Sequence, residues 1–164
     1  MSIQITEYID VRERAVELGC NPPTGLALLP RNYDIAGSKD DLVYEGSTLE
    51  IRTLWRQARI SETQIEKEGD RFPHIHERYA EWIGPVIFIS ASVLSQDPHA
   101  VSVALGVLSN YLTDFFKGVP ISSRKVKLSL VVEDVGGYKR IDYEGNVEGL
   151  ARLPEVIREI KNHE

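Results

Sequence analysis

The sequence predicts an α/β fold: a mixed sheet with helices packed on it, closed by a C-terminal β-hairpin and a final helix. Three observations carry this. Strand-like and helix-like stretches alternate along the chain. A continuous apolar run, PVIFIS at 85–90, reads as a strand covered on both faces. After it comes the best-delimited helix in the sequence, 98–117, with Asp97 at its cap, Pro98 at its first position and Gly118 just past its end.

Taken in order, residues 3–18 read as a first helix, with Ile5, Tyr8, Ile9, Ala15 and Val16 on one face and Gly19 to close it. Leu26–Leu29 is a short apolar run stopped by Pro30, strand-like by its length and flanks. SKDDLVYEG suggests a short exposed strand. Ser47 with Glu50 three residues on forms a capping box, and the helix it opens has Ile51, Leu54, Trp55 and Ala58 as its buried face. Residues 61–73 hold four acids, two bases and Gly69, the composition of a mobile loop.

The 98–117 helix presents Val101, Ala104, Leu105, Leu108, Leu112 and Phe115 to the core. In KVKLSLVVE the residues Val126, Leu128, Leu130 and Val132 alternate onto one face; DVGG turns the chain and YKRIDY returns it as a hairpin. The last helix carries Leu150, Leu153, Val156, Ile157 and Ile160, with Pro154 placed so that the helix starts late or kinks there. No linker or shift of composition divides residues 1–164, so a single domain is expected.

Tyr-Glu-Gly occurs twice, at Tyr44–Gly46 and Tyr143–Gly145. Each copy stands where a strand-like stretch passes into a helix, followed by Ser47 or Asn146, both good N-cap residues. The surroundings of the two copies do not align, so local punctuation explains them better than duplication.

Composition limits function more than motifs do. The 164 residues carry a formal net charge of −6, which argues against broad nucleic-acid binding. Cys20 is the single cysteine, which excludes a disulfide framework and a cysteine-based zinc site and suits a reducing cytoplasm. The N-terminal MSIQITEYIDVRER lacks a signal-peptide pattern, and no lipidation motif is expected. The apolar stretch 82–113 is broken by Asp97, Pro98 and His99 into pieces shorter than a membrane span. Phosphate-loop, dinucleotide, nucleophile-elbow and zinc-protease signatures are absent.

Three constellations remain. PHIHE offers His74, His76 and Glu77; on an extended strand the two imidazoles would share a side, but solvated loop histidines are the better reading, and no metal or cofactor is expected. Arg52, Arg56 and Arg59 recur at helical spacing beside Trp55. That stripe suits an acidic protein partner, and RNA less well given the acidic total. A lesser basic cluster, Ser123, Arg124, Lys125 and Lys127, precedes the hairpin.

The strand ends are the third. If the strands at 26–29 and 85–90 are parallel neighbours, Arg31, Asn32 and Asp34 meet Ser90 and Ser92 beside the helix starting at Pro98, a place for a small anion or a nucleotide fragment. Glu133 and Asp134, with Glu144 following the other hairpin strand, are paired acids without the following D/E-x-K arrangement of a metal-dependent nuclease. No residue set defines a catalytic site. The expectation is a cytoplasmic, non-catalytic interaction or regulatory module, one component of a multi-protein system. The alternative is a small-ligand-binding or hydrolytic α/β enzyme using the strand-end loops.

Overall fold

In the computed structural model, which describes residues 1–75 and 81–162, a five-stranded mixed sheet forms the centre of an α/β fold. The strands are β1 (Ser2–Tyr8), β2 (Leu26–Leu29), β5 (Trp82–Ile89), β6 (Val126–Asp134) and β7 (Gly137–Gly145), in the spatial order β1-β7-β6-β5-β2. Two short strands, β3 (Tyr44–Glu45) and β4 (His74–Ile75), pair in parallel apart from it. The helices are α1 (Val11–Leu18), α2 (Thr48–Gln57), α3 (Ala91–Gln96), α4 (Pro98–Phe115) and α5 (Leu153–Asn162). No described helix is long and apolar enough to cross a membrane.

The pleat of β6 sorts the core onto two faces. Val126, Leu128, Leu130 and Val132 face α2, α4 and α5, and Val131 faces the α1 side. On the first face α4 lays Val101, Ala104, Leu105, Leu108 and Leu112 against the sheet, as its periodicity predicts, with Asp97 capping Ala100 N–H. Phe115 departs from that pattern: it is about half exposed, and its neighbour Phe116 turns inward as the helix ends. The second face is covered by α1 and by the segment 30–43 after β2, whose Tyr33 is fully buried and donates to Val11 O at 2.6 Å.

The first element differs most from the expected helix 3–18. Residues 2–8 form β1, antiparallel to β7 from Ser2↔Glu144 to Tyr8↔Tyr138, and α1 begins only after Asp10, whose side chain caps Glu13 N–H. Ile3 and Ile5 are spaced for a strand, and Asp10 is the N-cap that the helical reading passed over. Val16, assigned to the buried face, is exposed, whereas Val11, Ala15 and Leu18 are buried.

Smaller departures have local causes. The expected exposed strand around Leu42–Glu45 is two residues long with Tyr44 buried, and a 3-10 turn at Lys39–Asp41 precedes it. Ser47 makes no capping bond; its hydroxyl donates to Ile83 O at 2.8 Å. Ala58 is exposed at the end of α2. Pro154 occupies the first turn of α5, which starts at Leu153 after a 3-10 turn, so the late start is what the sequence expects.

Candidate functional site

β2 runs antiparallel to β5, with Leu26 opposite Ile89 and Leu29 opposite Val86. This corrects the parallel pairing on which the strand-end crevice rested. Ser90 follows the end of β5 that lies beside Leu26, and its N–H reaches Gly25 O, while Arg31 follows the other end of β2. The two residue sets therefore stand at opposite ends of the sheet and do not converge.

Each set has a local task. Asn32 accepts from Val43 N–H and donates to Asp41 O, stapling the loop after β2. Asp34 is half-buried, and its charge adds to the burial that pushes the Tyr8 phenol well above its ordinary range. Ser90 is fully buried and caps α3 by accepting from Val93 N–H; Ser92 donates to Thr24 O.

β5 and β6 are the one parallel pair in the five-stranded sheet, so the crevice past their carboxyl ends is where an α/β fold would hold a ligand. Here a carboxylate of the chain itself fills it. Glu133, 7% exposed, accepts from Ala91 N–H at 2.9 Å, from Tyr138 Oη at 2.9 Å and from the Arg12 guanidinium. Burial and this bond to Glu133 push the Tyr138 phenol up. Neither Arg12 nor Tyr138 is marked by any sequence pattern: Arg12 pairs with Glu133 from 121 residues away, and Tyr138 reaches it only across the hairpin turn.

The α2 stripe separates into a buried part and an exposed part. Trp55 is fully buried in the core, its indole N–H directed at Ala104 O, and so is no surface anchor. Arg52, only 11% exposed, binds Glu62 through Nε and Nη2 and Glu66 through Nη1, with Tyr44 beneath its guanidinium. Arg56 and Arg59 alone face solvent. The carboxylates answering Arg52 come from the 61–73 loop, which also buries Ile65 completely and is held at its start by Thr63 N–H to Leu26 O. Of the PHIHE group, His74 lies in β4 and stacks on Tyr44 at 5.2 Å, while His76 and Glu77 lie outside the described residues.

The surface left open is the other half of the sheet face that α1 covers. There Gln4 of β1, Lys127 and Ser129 of β6, and Arg140 and Asp142 of β7 line an open cleft of about 390 Å3, bordered by Arg31 and Glu45. Among the described residues no helix contributes to the lining. The floor is fixed by hydrogen bonds: Ser129 Oγ donates to Asp142 at 2.6 Å, and Arg140 donates to both Asp142 and Ser129. The Arg140 guanidinium also lies over the Tyr8 ring.

Charges in and around the cleft are paired, as Arg31–Glu45, Lys127–Glu81, Lys125–Glu144 and Arg140–Asp142. In the first two pairs the base is the outer member: Arg31 is 47% exposed against 13% for Glu45, and Lys127 44% against 23% for Glu81. The acids hold the bases in place from below, and the rim turns cations outward on a chain of net charge −6. Arg31 and Lys127, which the sequence left in separate groups, line one cleft.

Fold and site together describe a mixed α/β protein whose parallel switch point is filled by its own Glu133 and whose open chemistry sits on a helix-free half-sheet. Compared with known protein families, curated proteins and solved structures, the chain matches none.

Proposed function

We propose that this chain is a non-catalytic interaction or regulatory module of a multi-protein system in a reducing cytoplasm, receiving an acidic segment of a protein partner in the half-sheet cleft. The observation that carries the reading is the outward pair Arg31 and Lys127, each held by a less exposed acid, with Arg140 on the cleft floor bound to Asp142 and Ser129. Pre-positioned guanidinium and ammonium groups bind carboxylates with little ordering cost and steer an acidic partner from a distance. Paired charges at an open surface supply recognition and not proton transfer, in keeping with a binding role. A second reading is favoured by the size of the cleft, which lies within the range of small-molecule sites: a small anionic ligand held by the same bases.

The test is a charge reversal on this surface. Wild type, R31E/K127E and R56E/R59E are titrated against a fluorescent Asp/Glu-rich peptide and against inorganic phosphate, at low and moderate salt. The reading expects peptide binding that weakens with salt and falls about tenfold or more in R31E/K127E, with R56E/R59E unchanged. Phosphate binding with no peptide binding selects the small-anion reading. Equal peptide affinity in all three proteins overturns both the site and the partner class.

A further inference from the structure

The two edges of the sheet are treated differently. The outer edge of β2 is occupied: Thr63 N–H donates to Leu26 O at 2.7 Å, Glu62 bridges to the same residue, and Arg31 N–H reaches Val43 O just beyond. The outer edge of β1 has no partner strand among the described residues. Natural edges are usually blunted by a bulge, a proline, a central charge or shortness. β1 is seven residues long, keeps unbroken register with β7, contains no proline and carries no charge before Glu7.

Its sequence is also self-complementary. Written antiparallel to itself about Gln4, Ser2 meets Thr6, Ile3 meets Ile5, Gln4 meets Gln4, and the order then repeats in reverse. Every polar residue faces a polar one and every isoleucine an isoleucine. Residues directly opposite in an antiparallel pair share a face, so all four isoleucines gather on the α5 side of the sheet. There Ile5, 49% exposed, borders a groove of about 510 Å3 whose other wall is Val156 and Ile160. Other alignments that keep the faces are poorer. Centring on Ile5 sets Ile3 against Glu7, and centring on Ile3 leaves Thr6 through Tyr8 without partners.

We propose that a second copy of this chain pairs with β1, antiparallel about Gln4, to form a two-fold dimer with one continuous ten-stranded sheet. The charge pattern agrees: Glu7 and Lys139, which pair with each other, lie outside the Ser2–Thr6 overlap, so no like charges are opposed along the seam. On the opposite face Ser2 and Gln4 line the cleft, so the dimer joins two cation-rimmed clefts across its axis. The dimer is independent of whether those clefts take an acidic segment.

Sedimentation and light scattering at about 100 μM chain, where a micromolar dimer is saturated, measure the mass directly. Twice the chain mass of 18.5 kDa is expected, with the dissociation constant raised about tenfold or more by I5K, which sets a charge into the isoleucine cluster. A register test remains decisive even if I5K fails to fold. Under mild oxidation Q4C should form a covalent dimer, because residues opposite across an antiparallel pair lie about 4.5–5.5 Å apart at Cα, within disulfide reach. T6C should not, since each Thr6 faces Ser2 of the other copy and the two Thr6 residues are about four rises, roughly 13 Å, apart. A monomer mass for wild type, a dimer indifferent to I5K, or cross-linking of T6C equal to that of Q4C would each overturn the proposal.

Discussion

Replacing Arg52 by alanine removes the one cation that, among the described residues, answers two carboxylates in a nearly closed space. Arg52 contacts Glu62 at 2.9 Å and Glu66 at 3.2 Å, and the three side chains are 11%, 9% and 12% exposed. With the guanidinium gone, both carboxylates stay desolvated without a counter-charge, a change that costs about 3–5 kcal/mol. Domains have about 5–15 kcal/mol of stability in all, so the loss is a large share of it. For a chain of this length the melting midpoint should fall by about 6–20 °C at neutral pH, at about 2–4 °C per kcal/mol.

The pH dependence of that loss has a definite sign. Burial already pushes the Glu66 carboxyl up in the folded protein, with the nearby Asp70 charge adding to the effect. A carboxyl with a raised folded pKa binds more protons folded than unfolded. Its favourable contribution is complete below the unfolded value of about 4.3 and is lost as pH rises through the folded value. Removing Arg52 raises that folded pKa further, so the gap between variant and wild type should be widest near pH 7 and narrow toward pH 4. Urea unfolding at both pH values, with R56A/R59A as the exposed control expected within about 0.5 kcal/mol of wild type, measures this. A neutral-pH loss below about 1 kcal/mol, or one that does not shrink on acidification, would refute the account of a desolvated carboxylate pair.

Three further outcomes follow from packing and hydrogen bonding. Leu108→Ala should lower stability by about 2–5 kcal/mol in chemical denaturation, because Leu108 is fully buried between α4 and the sheet and leaves a cavity there. Gly84→Ala should destabilise despite the small change, since a Cβ at that position would lie 2.6 Å from the Trp82 ring and 2.8 Å from Leu128 Cδ1; a melting midpoint equal to wild type would show that the strand yields there freely. Glu133→Ala should cost about 1–3 kcal/mol by leaving Ala91 N–H and the Tyr138 hydroxyl without their acceptor, read as faster amide exchange at Ala91.

Helix α4 and the C-terminal hairpin were legible in the sequence because local signals agree with tertiary placement. Asp97 and Pro98 start α4 by capping chemistry, and Val126 through Val132 alternate because one sheet face packs under helices. β1 was misread because a seven-residue strand and an eight-residue helix abut with only two residues between them, so their apolar positions merge into one helix-like series. Arg52 was misread for a different reason, whereas Trp55, which spacing puts on the buried face of α2, is buried there and fails only as a partner anchor. Only the 61–73 loop folding back decides that Arg52 is enclosed, through contacts ten and fourteen positions along the chain. The site had the same difficulty: Arg31, Lys127 and Arg140 lie on three separate stretches, and no short motif joins them.

The direction of β2 explains where the open chemistry lies. Had β2 been parallel to β5, both strands would end at one crevice beside the start of α3, and Arg31 would share it with Ser90. Antiparallel β2 instead carries Arg31 to the far end, next to the Gly84–Pro85 irregularity at which β5 shifts register against β6. That leaves the parallel pair's carboxyl end without a cation from β2, and Arg12 of α1 supplies one together with Glu133 from β6. A buried carboxylate that accepts a helix-start N–H, a tyrosine hydroxyl and a guanidinium is already satisfied, so an incoming anion would have to displace it at the loss of all three bonds. The half-sheet cleft has no such internal occupant among the described residues: Arg31 and Lys127 are held by less exposed acids and are themselves nearly half exposed. Which of these two places is filled from within the chain is therefore settled by strand direction, a property set by chain connections far from either one.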